Sequence, residues 1–162
     1  MAELPILIVD PVGAARQSYR RRYAECIVLT RNGKILLMSL FSSASLAIDI
    51  LAFGGPVGCD EAPAETLASD LREELGAEGN ADDLMPLGAF TLGDTDHTEL
   101  FHAFFWHDRL GSISNEYGTL AFDRASDVLA YRGVTDRLIW HLRQCQTKGQ
   151  CQTKGLIAVR DC

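Results

Sequence analysis

The sequence predicts an α+β fold in which helices cover both faces of a β-sheet. Three observations carry this expectation. Residues 26–29 (Cys-Ile-Val-Leu) and 35–38 (Ile-Leu-Leu-Met) are apolar throughout, as strands covered on both faces are. Between them lies Arg31-Asn32-Gly33-Lys34, and Asn-Gly supplies the positive φ of a tight hairpin turn. Residues 63–75 have a helical period: Ala64, Leu67, Ala68, Leu71 and Leu75 fall in one sector about 100° wide.

The remaining elements follow in order. Residues 1–19 read as a short extended or irregular arm, interrupted by Pro5 and Pro11. Arg20-Arg21-Arg22 is a small basic cluster where the first hairpin strand begins. Residues 41–47 are small and Ser-rich, a loop, and 48–53 form a short strand ending at Gly54-Gly55. Pro63 suits the first helical turn, Asp60 or Glu61 lies where a cap would fall, and Gly76 ends the helix. Residues 84–92 and 99–107 are two more strands around a turn at 93–96. A polar loop at 112–118 precedes helices at 124–130 and 134–145, the second with a stripe of Val134, Leu138, Ile139 and Leu142. One domain is expected over 1–143, with a mobile tail over 144–162. That tail repeats Gln-Cys-Gln-Thr-Lys-Gly, at 144–149 and again at 150–155. Two copies are too few for a solenoid.

Composition narrows the function. The 162 residues suffice for one domain with its own core. A net charge of −7 excludes a non-specific binder of nucleic-acid polymers, which needs a basic face. It leaves room for a nucleotide substrate, because a bound metal inverts the local field. No apolar run reaches the roughly 18–20 residues of a membrane span, and the opening segment lacks the basic stretch of a signal peptide. A cytoplasmic protein is expected. The cysteines (Cys26, Cys59, Cys145, Cys151 and Cys162) form no C-x-x-C pair, so they read as reduced thiols rather than zinc ligands.

The helix at 63–75 carries the chemistry. Asp70, Glu73 and Glu74 share one flank of its apolar stripe, while Glu65, Ser69 and Arg72 lie on the other. Acids spaced i, i+3 and i, i+4 repel by a few tenths of a kcal/mol each. They also stand in the half of the helix where the macrodipole disfavours anions. A divalent cation removes both conflicts, since hard cations take carboxylate oxygens.

The surroundings fix a register. Gly55 is followed by five residues and Glu61, and seven more residues lead to Ser69-Asp70-Leu71-Arg72-Glu73-Glu74-Leu75-Gly76-Ala77. This stretch, 55–77, resembles the Nudix box, G-x5-E-x7-R-E-U-x-E-E-x-G-U with U a bulky apolar residue. The box's Arg-Glu is Ser69-Asp70 here, and its last apolar position is Ala77. Asp70 keeps the charge with one methylene fewer, whereas Ser69 cannot replace a guanidinium fork. The resemblance implies a three-layer α/β/α sandwich with a mixed sheet. It implies hydrolysis of a nucleoside diphosphate linked to another moiety, with Mg²⁺ or Mn²⁺. By the same resemblance Glu73 and Glu74 are the main metal ligands, Asp70 is a ligand directly or through water, Glu61 supports them, and the Gly55 carbonyl can coordinate. A small nucleotide-type substrate is the expected partner, and a homodimer is common among similar proteins. The alternative reading is a Nudix-fold module of weakened catalysis that binds a nucleotide or a protein.

Outside the box, Glu116 in the 112–118 loop is a candidate base or substrate contact, and Arg22 a candidate phosphate contact. His102 reads as a satisfied buried histidine on an apolar strand face. Phe41, Phe53, Phe90, Trp106 and Tyr117 are aromatic enough to stack on a base, though most are expected in the core.

Overall fold

The computed structural model describes residues 6–9, 21–43, 46–58, 60–92, 99–132 and 134–147. Its strands are β1 (Ile6–Val9), β2 (Arg21–Leu29), β3 (Ile35–Ser42), β4 (Ala47–Leu51), β5 (Phe53–Val57), β6 (Met85–Leu92), β7 (Glu99–His107) and β8 (Thr119–Phe122). Its helices are α1 (Pro63–Leu75), α2 (Ala125–Leu129) and α3 (Asp136–Thr147), with a 3-10 turn at Ala81–Asp83.

The hairpin forms as expected. Val28 faces Leu36, Leu29 faces Ile35, and Gly33 takes φ 81°. The strands join in the order β1-β6-β7-β2-β3-β4, with β5 beside β2 and β8 beside β3. The β2–β7 pair is parallel, from Arg21↔Glu99 to Leu29↔His107; the other pairs are antiparallel. The sheet is therefore mixed.

Strand alternation gives the sheet two buried faces. On one, α1 lays Leu67, Ala68, Leu71 and Leu75 against Ala24, Cys26, Val28, Phe104 and Trp106. On the other, α2 and α3 cover Ile27, Leu29, Phe101 and Phe105 with Val128, Leu138 and Leu142. The three-layer α+β arrangement is thus present. Each fully buried leucine of α1 contributes about 1.5–3 kcal/mol through burial.

Several elements differ from their sequence-based expectations. Residues 41–42 belong to β3, because that strand continues outward to pair with β4 (Phe41↔Ile48, Ser42↔Ala47). The strand expected over 48–53 is two strands, with Gly54 and Gly55 inside β5 rather than beyond its end. A Pro56 in that strand is tolerated because β5 pairs with β2 alone. Part of the N-terminal arm is a strand, with Ile6–Val9 paired to Leu92–Ala89 of β6. The strand β8 lies just after the polar loop. Helix α1 is capped by Ala62 without a side-chain hydrogen bond, not by Asp60 or Glu61. At its other end Gly76 is left-handed (φ 64°). The Gly76 N–H donates to the Arg72 carbonyl, the 5→1 bond of a left-handed cap, and the Ala77 N–H donates to the Leu71 carbonyl. Helix α3 continues through Thr147, past the expected boundary at 143, and Cys145 is buried. The turn at 93–96, Cys59 and the second copy of the repeat lie outside the described residues.

Candidate functional site

Gly55 and helix α1 define the site. Strand β5 brings Gly54 and Gly55 alongside Glu25 and Ala24 of β2. Gly54 has φ 145°, and a Cβ there would sit 1.9 Å from the Ala24 carbonyl oxygen, so only glycine lets the two backbones approach this closely. A Cβ on Gly55 would instead lie 3.6 Å from Asp70 Oδ2. The strand and the acidic flank of α1 therefore meet at Gly55 and Asp70.

The acids feel one another. Burial pushes the Asp70 carboxyl above its usual range, and the negative charges of Glu73 and Glu61 push it further. Burial also raises Glu74, with Asp70 and Glu73 adding to the effect. No basic side chain forms an ion pair with any of these acids among the described residues. Glu61 is held in the loop before α1, where it accepts hydrogen bonds from Thr66 Oγ1 at 2.6 Å and the Gly58 N–H at 3.3 Å. Those bonds, Thr66 first, draw its pKa down.

The donor set has the chemistry a divalent cation takes: hard oxygens, mutually repelling and without a basic partner. The side chains are not drawn together as they stand. Among the described residues no group of three or more His, Cys, Asp or Glu side chains is gathered closely enough to hold a metal ion. Asp70, Glu73, Glu74 and Gly55 are a set that a cation would have to gather.

The other candidates are placed as follows. Arg22 stands on β2 between Val57 and Leu100, on the α1 face of the sheet. Its Nη2 is 3.4 Å from His102 Nε2, so that nitrogen accepts and His102 is half-buried rather than enclosed. Burial, and secondarily the Arg22 charge, hold the His102 pKa down at about 4. Glu116 lines a separate depression with Thr30, Arg31, Asn32 and Asp108 that contains none of the box residues. Its neighbour Asn115 does touch the helix, donating from Nδ2 to the Glu74 carbonyl at 3.1 Å. Arg72 donates to the Gly79 carbonyl at 3.3 Å, away from Asp70. Phe53, Phe90 and Trp106 are core residues, whereas Phe41 and Tyr117 are exposed.

On the opposite face of the sheet, Gly54 and Gly55 border a cavity of about 320 Å³ that sequence reasoning missed. Tyr23, Glu25 and Phe101 line it, with Arg137 of α3. Arg137 Nη2 lies 3.1 Å from Glu25 Oε1, and its guanidinium sits 4.9 Å from the Phe101 ring centre. The signal in the sequence was a lone acid, Glu25, just before the apolar run of β2; its partner lies in a distant helix.

Solved structures share this architecture. An ADP compounds hydrolase matches with a TM-score of 0.64 at 12% identity, covering 92% of this chain and 96% of its own. A Bacillus subtilis pyrophosphohydrolase matches at 0.59 and 15%, covering 94% and 100%. A NUDIX hydrolase from Nitrosomonas europaea matches at 0.59 and 13%, covering 85% and 93%. The chain has the Nudix fold. No protein-family model matches its sequence, and no curated protein does. Among the described residues no helix is long and apolar enough to cross a membrane.

Proposed function

We propose that this chain is a Nudix-type pyrophosphohydrolase that cleaves a nucleoside diphosphate linked to another moiety. The observation that carries the reading is the meeting of Gly55 with Asp70 on the acidic flank of α1, in the register of the box. Glu73, Glu74 and Asp70, with the Gly55 carbonyl, would hold Mg²⁺ or Mn²⁺. A divalent ion at such a site lowers the pKa of bound water and stabilises charge developing on a phosphoryl group. The residues supply the positioning. Glu61 ties the loop between β5 and α1 through Thr66 and Gly58. Arg22, on the α1 face of the sheet, is assigned to the substrate phosphates, and Glu116 to a late-loop contact. Water adds to one phosphorus as the bridging P–O bond breaks, and the bridging oxygen leaves on the second phosphate.

The test is a panel of ADP-ribose, sugar nucleotides, dinucleotides, and canonical and oxidised nucleoside triphosphates, assayed with and without Mg²⁺. Metal-dependent release of a mononucleotide or phosphate is expected. Glu73→Gln and Glu74→Gln should each remove most of it. Ser69, standing where the box has Arg, favours a second reading, a binding module with weak catalysis. Ligand binding with no turnover across the panel selects that reading.

A further inference from the structure

The cavity on the far side of Gly55 has a chemical character of its own. Its volume of about 320 Å³ lies at the small end of the roughly 300–1,000 Å³ typical of small-molecule sites. Its charges are unsuited to phosphate, because Glu25 already neutralises Arg137 and Glu99 adds a negative charge at the wall. It offers an aromatic platform instead. Tyr23 stacks on Phe101 with ring centres 4.9 Å apart, and Tyr23 forms part of the wall.

Glu25 is the unusual member. It is 8% exposed, yet its one partner among the described residues is Arg137, on Oε1. A carboxylate has about four acceptor positions, so most of this one's capacity is unfilled beside a cavity. Burial outweighs the attraction of Arg137 and raises its pKa. Two N–H donors arriving from a ligand would offset that cost.

We propose that this cavity is the base subsite and that the Glu25–Arg137 pair selects guanine. Resting on the hydrolase reading, the phosphates then lie on the α1 side of Gly55 and the base on the other. Guanine presents, in a row, an acceptor (O6) and two donors (N1–H and the 2-amino group). Arg137 and Glu25 present the complementary donor and two acceptors. Adenine and hypoxanthine each satisfy two of the three, and cytosine and uracil each turn an acceptor toward the carboxylate. The base stacks on Tyr23, and Phe101 holds the Arg137 guanidinium in place through its ring face.

The experiment is calorimetric titration of the full chain in EDTA with GDP, IDP, ADP and UDP. IDP lacks only the 2-amino group. GDP is expected to bind at least tenfold more tightly than ADP, with IDP near the ADP level, and Glu25→Gln should bring GDP down to that level. The nucleotide series on the unaltered protein stands even if that variant folds poorly. Equal affinities, or ADP binding best, would overturn the guanine assignment. Hydrolysis across the panel without guanine preference removes this subsite and leaves the hydrolase reading. GDP selectivity without hydrolysis does the reverse.

Discussion

Asp70 Oδ2 lies 3.6 Å from where a side chain on Gly55 would begin, whereas the same atom on Gly54 would collide with the Ala24 carbonyl. The two adjacent glycines therefore answer differently to one methyl group. Gly54→Ala should destabilise the protein by roughly 2–4 kcal/mol through strain and backbone displacement. Gly55→Ala should change stability by less than about 0.5 kcal/mol and lower metal-dependent turnover, because its methyl group would stand against Asp70 Oδ2. Thermal melts and the hydrolysis assay on both variants check this; a Gly55→Ala protein of full activity would show that the space between Gly55 and Asp70 is not used.

The acidic flank of α1 should cost stability without metal and repay it with metal. Asp70→Asn or Glu74→Gln should raise the metal-free melting temperature slightly, since each removes repulsion worth a few tenths of a kcal/mol. Mg²⁺ should raise the melting temperature of the unaltered protein through binding linkage and have little effect on Glu74→Gln. The sign with pH follows from the raised pKa values of Asp70 and Glu74. Ionising them is harder in the folded state, so their destabilising contribution fades as pH falls from the folded-state pKa to the ordinary one. Melting curves with and without Mg²⁺ test both points.

Ser69 and Asp70 together depart from the box. Ser69→Arg with Asp70→Glu should raise kcat, with KM changing less, because the change acts on the reacting end. A fall in turnover would show that the site is tuned to its own residues.

His141 gives a pH dependence elsewhere. It is fully buried on the inner face of α3; Nε2 lies 2.7 Å from the Phe104 carbonyl and Nδ1 has no partner among the described residues. Burial foremost holds its pKa down at about 4. The unfolded chain binds this proton first, so the stability it contributes is complete above about pH 6.5 and is lost as pH falls toward 4. The loss amounts to about 3 kcal/mol for a shift of this size. His141→Leu should flatten that part of the stability profile, measured by urea unfolding between pH 7 and 4; an unchanged slope would place the titration on another group.

The parts of this molecule that the sequence makes legible are local. Asn32-Gly33 and the 3.6-residue period of α1 are contained in short windows, and both elements appear where expected. Gly54-Gly55-Pro56 reads locally as a chain break, and only its position as an edge partner of β2 makes it a strand. The short β8 and the pairing of the N-terminal arm depend on distant partners, β3 and β6. The site divides in the same way. The box is contiguous, so its acids could be named, whereas Glu25 and Arg137 meet only because α3 packs back against the sheet.

The parallel pairing of β2 with β7 has a consequence for how the chain matures during synthesis. Parallel neighbours need a long crossover, and here the crossover contains β3, β4, β5, α1 and β6. Closing it costs loop entropy before the central ladder returns any stability. The antiparallel β2–β5 pair needs only the chain up to Val57, so Gly55 and α1 can meet while later residues are still being added. The Glu25 side waits for Arg137, near the end of the described chain. A ribosome-bound fragment ending after α1 would thus present the acidic half of the site first, and the aromatic half would close last.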